Sequence, residues 1–115
     1  MRPTIKLLAA SLLLLAMMSF QFVKTRLDVT VRNELGNVEE GVILQLFANE
    51  ADYTAEKNVV AEGVTDDKGL FKFREIKAAS YYVIARKGDK DNSGGGEQTG
   101  KLEPNRINKV TIVIQ

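Results

Sequence analysis

Beyond Lys24 the chain is written in short stretches of period two. In residues 26–31, Leu27, Val29 and Val31 share one side, and Arg26, Asp28 and Thr30 share the other. That alternation predicts a strand buried on one face. Asn33, Gly36 and Asn37 follow as turn residues. Residues 41–47 place Val42, Leu44 and Leu46 together and turn Ile43, Gln45 and Phe47 the opposite way, as in a strand partly covered on both sides. Residues 48–58 break the alternation. They read either as a helical turn capped by Asn49, with Asp52 at its positive end, or as a plain connecting loop. Extended character resumes at 59–64, and "TDDKG" (65–69) marks a tight turn. The next run points Phe71 and Phe73 inward. Residues 80–85 separate Tyr81, Val83 and Ala85 from Tyr82 and Ile84, and the β-branched segment 107–115 reads as a last strand. Between these last two, residues 86–106 form one large polar insertion containing three successive glycines, Gly94 to Gly96, and Pro104.

Short strands spaced by turns, with no long amphipathic helix, predict an all-β fold. The expected architecture is an immunoglobulin-like, Greek-key antiparallel β-sandwich of about seven strands over residues 25–115, a usual size for that class. An N-terminal signal helix is expected ahead of it. Arg2 and Lys6 precede an apolar run over residues 7–20, the arrangement of a secretory signal peptide. The run is shorter than the roughly 20 residues of a comfortable membrane span. Residues 1–22 are therefore assigned as a signal peptide cut between Ala16 and Lys24, with an uncleaved anchor as the alternative. The expected location is secreted or periplasmic, with cell-surface association open. No stable membrane insertion is expected once the leader is removed.

Composition narrows the chemistry. The chain has no Cys and no His, so Ser–His and Cys–His nucleophiles are excluded, as is a disulfide framework. Without Arg2 and Lys6, 14 basic residues face 15 acidic ones. That balance gives no case for nucleic acid as a partner.

The order "LDVTV", "EGVILQLF", "TDDKGLFKFREI", "YYVIA", "NKVTIVI" resembles the carboxypeptidase regulatory-like family. These are transthyretin-like (prealbumin-like) sandwiches related to the collagen-adhesin B-type repeat. The resemblance spans residues 25–115 and is most specific at "TDDKGLFKF". Ala79 and Ser80 stand where the family usually has Gly before its Tyr. The resemblance implies an accessory, non-catalytic module of exported proteins that serves as a spacer or contact platform, with an unidentified protein or glycan as partner. The hydrolase relatives depend on histidines that this chain lacks. Some B-type repeats carry a Lys–Asn isopeptide bond. The candidates here would be Lys24 and Asn108, but no Lys stands at Leu27, Val29 or Val31, so no such bond is expected.

One alternative function concerns residues 88–97, "GDKDNSGGGE". Asp89, Asp91, Ser93 and Gly94 fill positions 1, 3, 5 and 6 of a calcium loop, and Glu97 falls at position 9. Position 12, where a bidentate Glu belongs, is Gly100. The same residues suit a ligand-free surface hairpin, and no cofactor or metal site is assigned. Glu39–Glu40 and Asp66–Asp67 read as solvated turns, because neighbours on a strand face opposite ways. Tyr81 is expected in the core with its hydroxyl on a backbone group. Tyr82, Ile84, Ile43 and Phe47 form either an exposed apolar patch or a surface covered by residues 48–58.

Overall fold

The computed structural model describes residues 24–115; the assigned leader lies outside them. The elements are β1 (Arg26–Asn33), β2 (Ile43–Phe47), α1 (Glu50–Ala55), β3 (Ala61–Val64), β4 (Leu70–Phe73), β5 (Ser80–Lys87), β6 (Lys90–Asp91), β7 (Gln98–Lys101) and β8 (Ile107–Ile114). One sheet runs β4-β1-β8. The other runs β3-β2-β5, with β6 and β7 lying one after the other along the remaining edge of β5. The all-β sandwich is as expected, and the eight strands among the described residues agree with the expected seven or so, the polar insertion supplying both β6 and β7. One correction concerns the antiparallel order: β1 and β8 pair in parallel, from Arg26↔Ile107 to Asn33↔Ile114. The chain crosses to the other sheet between them and so enters both strands from the same end.

The inward sides of the alternating strands make the core. Leu27, Val29 and Val31 of β1 meet Val42, Leu44, Leu46, Tyr81, Val83 and Ala85 from the opposite sheet, with Ile112 and Ile114 from β8. Each fully buried aliphatic side chain of this kind contributes about 1.5–3 kcal/mol relative to leaving it in water. Thr65, buried at the end of β3, ties in the β1–β2 connection. Its hydroxyl donates to the Glu39 carbonyl (2.7 Å) and accepts the Val42 N–H (2.9 Å).

Residues 48–58 cover the outer surface of the second sheet. Asn49 Oδ1 accepts the Asp52 N–H at 2.9 Å, and Glu56 ends the helix in a left-handed conformation (φ 52°). Six residues are too few to hold a helix alone; Tyr53 anchors this one. Its ring meets the edge of Phe47 at 6.1 Å and lies 5.3 Å from Tyr82. Phe47 and Ile84 are buried as a result. The apolar patch is thus covered, except for Ile43, which stays 46% exposed beside Val64.

Of the two inward phenylalanines, only Phe73 is buried; Phe71 is half-buried at the seam between β4 and β3. It stacks edge-on with Phe73 at 4.8 Å and lies over Gly63, where a Cβ would come within 2.3 Å of its ring. We expect Phe73→Ala to cost about 3–5 kcal/mol, the usual cost of deleting a buried aromatic, and Phe71→Ala to cost less. Chemical denaturation measures both. A Phe73→Ala variant as stable as the parent would refute this packing.

Candidate functional site

The insertion that carries the calcium-like letters is a structural brace. Strand β5 needs hydrogen-bond partners along its edge. However, β6 pairs only with Arg86 and Lys87, and β7 pairs at Ser80 and Tyr82. The Asn92 side chain fills the gap. Its Oδ1 accepts the Ala85 N–H at 3.0 Å, and its Nδ2 donates to the carbonyls of Val83 (2.8 Å) and Gly96 (2.9 Å). Asn92 is only 3% exposed. Its carboxamide stands in for a peptide group of the missing strand.

The loop's backbone, freed from β5, turns to the other sheet. Gln115 N–H donates to the Asp91 carbonyl at 2.9 Å, and Val113 N–H donates to the Gly95 carbonyl at 3.0 Å. At Gly95 the approach is so close that a Cβ would lie 2.2 Å from the Val113 carbonyl oxygen. Only glycine fits there.

The residues at the calcium-loop positions make the following contacts. Asp91 Oδ1 accepts the Ser93 N–H at 2.9 Å, and that bond holds the Asp91 carboxyl below its ordinary pKa. Glu97 Oε1 accepts the Gly94 N–H at 3.3 Å. Asp89 is exposed in the β5–β6 turn, and Gly100 lies within β7. Among the described residues no three acidic side chains gather around a common point.

Between this loop and α1 lies a polar cleft of about 220 Å³ lined by Tyr53, Glu56, Ile84, Arg86, Asp91 and Ser93. Arg86 is ion-paired to Glu56, which lowers the Glu56 pKa and raises that of Arg86. Burial raises the Tyr53 hydroxyl pKa, with further upward pressure from Glu97 and Asp91. A second cavity, about 430 Å³ and mainly apolar, is lined by Val60, Ala61, Ile76, Ala79 and Tyr81. In the polar cleft Ser93 stands against the Asp91 carboxylate, bonding it through its amide and its side chain.

The other residues singled out from sequence fall into structural roles. Lys24 Nζ pairs with Glu75 at 3.0 Å and is exposed. Asn108 Oδ1 accepts the Glu103 N–H at 2.8 Å, and its Nδ2 donates to main-chain carbonyls, including that of Arg26. The two are not brought together in these contacts. Tyr81 donates its hydroxyl to the Lys77 carbonyl at 2.6 Å. Asp66 takes the Lys68 and Leu70 amides, as a turn residue does, and Asp67 and Glu40 are exposed. Glu39 departs from expectation. It accepts from Lys87 (2.9 Å) and Asn33 (3.1 Å), which lower its pKa. It thus ties the β1–β2 turn to the β5–β6 turn. Sequence reasoning missed Asn92 and Arg86, because nothing local marks an Asn that repairs a distant strand.

No family model matches the chain, and no curated protein matches it. Among solved structures it is similar to the backbone protein of the group B streptococcus pilus 2b, with a TM-score of 0.52 at 14% identity. The alignment covers 79% of this chain and 40% of that one, so the chain spans well under half the length of the pilus protein. At that identity the likeness concerns the fold: a related immunoglobulin-like β-sandwich.

Melting experiments test the brace. Asn92→Ala leaves the Ala85 N–H and the Val83 carbonyl unpartnered, at about 1–3 kcal/mol for each buried group not rescued by water. Asn92→Asp keeps an acceptor for Ala85 but sets a carboxylate oxygen against two carbonyls, and it should also destabilise. Stability unchanged in both variants would refute the brace. In the same assay we expect no calcium-dependent shift between excess chelator and millimolar calcium. A site with a Kd of about 10 µM would add about 2.7 kcal/mol at 1 mM calcium. Such a shift, abolished by Asp89→Ala with Asp91→Ala, would restore the calcium reading.

Proposed function

We propose that this chain is an exported, non-catalytic β-sandwich module of the carboxypeptidase regulatory-like type, with a structural or protein- or glycan-binding role at the cell surface or in the periplasm. The observation that carries the structural part is the parallel pairing of β1 with β8 over eight residue pairs. Tension applied between the start of β1 and the end of β8 must shear all of those pairs together. Antiparallel neighbours pulled from one end would instead open pair by pair. The likeness to a pilus backbone protein agrees with a surface role. The basic front and apolar run of residues 1–20 agree with export. The absence of His and Cys from the chain agrees with a non-catalytic part.

Two measurements test this reading. Lys24 and Lys77 flank the hydrogen bond from Ile76 N–H to the Thr25 carbonyl (3.2 Å), at the end where β1 meets β4. Single-molecule pulling between Lys24 and Gln115 should therefore need a higher force than pulling between Lys24 and Lys77, which unzips β1 from β4. Equal forces would remove the structural argument. Mass spectrometry of the protein from its native host should show an N-terminus between Met17 and Thr25, in an extracytoplasmic fraction. An intact Met1 on membrane-bound protein would favour an anchor.

A further inference from the structure

Near-neutral totals conceal a segregated surface. On the outward side of the sheet β4-β1-β8 the alternation aligns Arg26, Asp28, Thr30 and Arg32 of β1 beside Lys72 of β4 and Lys109 of β8. Arg74 follows Lys72 in the same alternation just past the end of β4. That side therefore carries five cations and one acid, leaving nine basic and fourteen acidic residues for the rest of the described chain. The lone acid is spent locally. Asp28 is 6% exposed, with Oδ2 accepting from Arg26 Nη2 at 3.0 Å and Oδ1 lying 2.8 Å from Arg26 Nε. Among the described residues no carboxylate forms an ion pair with Arg32, Lys72, Arg74 or Lys109. Asp66 sits at the β4 border, but its carboxylate is committed to the Lys68 and Leu70 amides. Lys72 and Lys109 flank Asp28 in one row across three strands, about 10 Å apart at the usual strand spacing.

We propose that this outward side binds a linear acidic polysaccharide. The surface is a sheet face rather than a pocket, so it suits an extended polymer whose charges recur along its length. Clustered charge of one sign attracts such a polymer beyond what the net charge suggests. Other anionic partners fit less well. In the next row Thr30 and Thr111 stand with half-buried Leu70, half-buried Val113 lies beside Arg32, and Ile107 at the margin is exposed. These apolar side chains are separated by the polar row of β1 and form no continuous wedge for a lipid surface. A second copy could offer the acids of α1 and its C-cap, but Asp52 and Glu56 are already held by Asn49, Asn58 and Arg86, which leaves Glu50 alone against five cations. The proposal names the ligand class for the binding role above and rests on that reading only for where the polymer is met. Binding by purified protein stands or falls independently of export.

The experiment measures binding of the chain, purified from its native host, to polygalacturonate at low salt, with neutral dextran as reference. The variant Lys72→Glu with Lys109→Glu should bind about tenfold more weakly, a loss of about 1.4 kcal/mol. Lys57→Glu with Lys101→Glu changes the net charge equally but lies off this side, and it should change binding little. Lys72→Gln with Lys109→Gln, milder for folding, should fall between parent and Glu variant, and melting curves confirm that each variant folds. Binding should also fade as salt rises, since the Debye length is about 10 Å at 0.1 M. Absence of binding at low salt, or equal loss from both Glu pairs, overturns the proposal. So does preference for phosphatidylglycerol vesicles over polygalacturonate, which indicates a membrane. An oligomer that the Lys72 and Lys109 changes dissociate also overturns it, in favour of a second copy.

Discussion

The hydrogen bonds that Asn92 makes with the edge of β5 are the constraint on which the rest of this sandwich turns. Strand β5 lies between β2 on one edge and two short strands on the other. Val83 N–H still reaches the Glu97 carbonyl at 2.8 Å, but the Val83 carbonyl and the Ala85 N–H fall between β7 and β6 and are met by a side chain. A carboxamide has the planar donor and acceptor geometry of a peptide group. Asn92 uses it to serve an N–H and two carbonyls at once. Buried main-chain groups left unmade are costly, so this residue makes it possible for the backbone to leave β5. Once it leaves, it reaches β8 and links the edges of the two sheets through Asp91, Gly95, Val113 and Gln115.

The same economy appears at the other junctions. Thr65 serves both a buried N–H and a carbonyl between β2 and the β1–β2 connection. Glu39 collects Asn33 and Lys87, with Lys90 at 4.0 Å, and so fastens two turns that are distant in sequence. Tyr53 presses a short helix onto Phe47 and Tyr82 and closes what would otherwise be an apolar face. Polar residues that look like surface ornament in the sequence are the fastenings of a small, disulfide-free domain. In the Gly-rich insertion Asp91 and Glu97 likewise accept amides of their own loop.

Both functional proposals rest on how strands are juxtaposed. Parallel contact of β1 with β8 aligns the first and last strands in a shear geometry. The flanking of β1 by β4 and β8 turns scattered cations into one surface. A domain with such a face can meet an anionic polymer while its core remains an ordinary apolar sandwich.

The local alternation by itself determined β1, β2 and β5 and their inward residues. Leu27, Val29, Val31, Leu44, Leu46, Tyr81, Val83 and Ala85 are all buried where period two put them, because a pleated strand has only two sides. The missing His and Cys likewise removed whole classes of chemistry before any contact was known. Tertiary structure alone decided which strands became neighbours and in what direction. It therefore decided the parallel β1–β8 pair, the covering of Phe47, the exposed margin of Phe71 and the clustering of Lys72 and Lys109 around Asp28. It also gave Asn92 its role, since the β5 groups it serves lie seven and nine residues back along the chain. Alternation records which way each side chain faces. It carries no record of what will lie across from it.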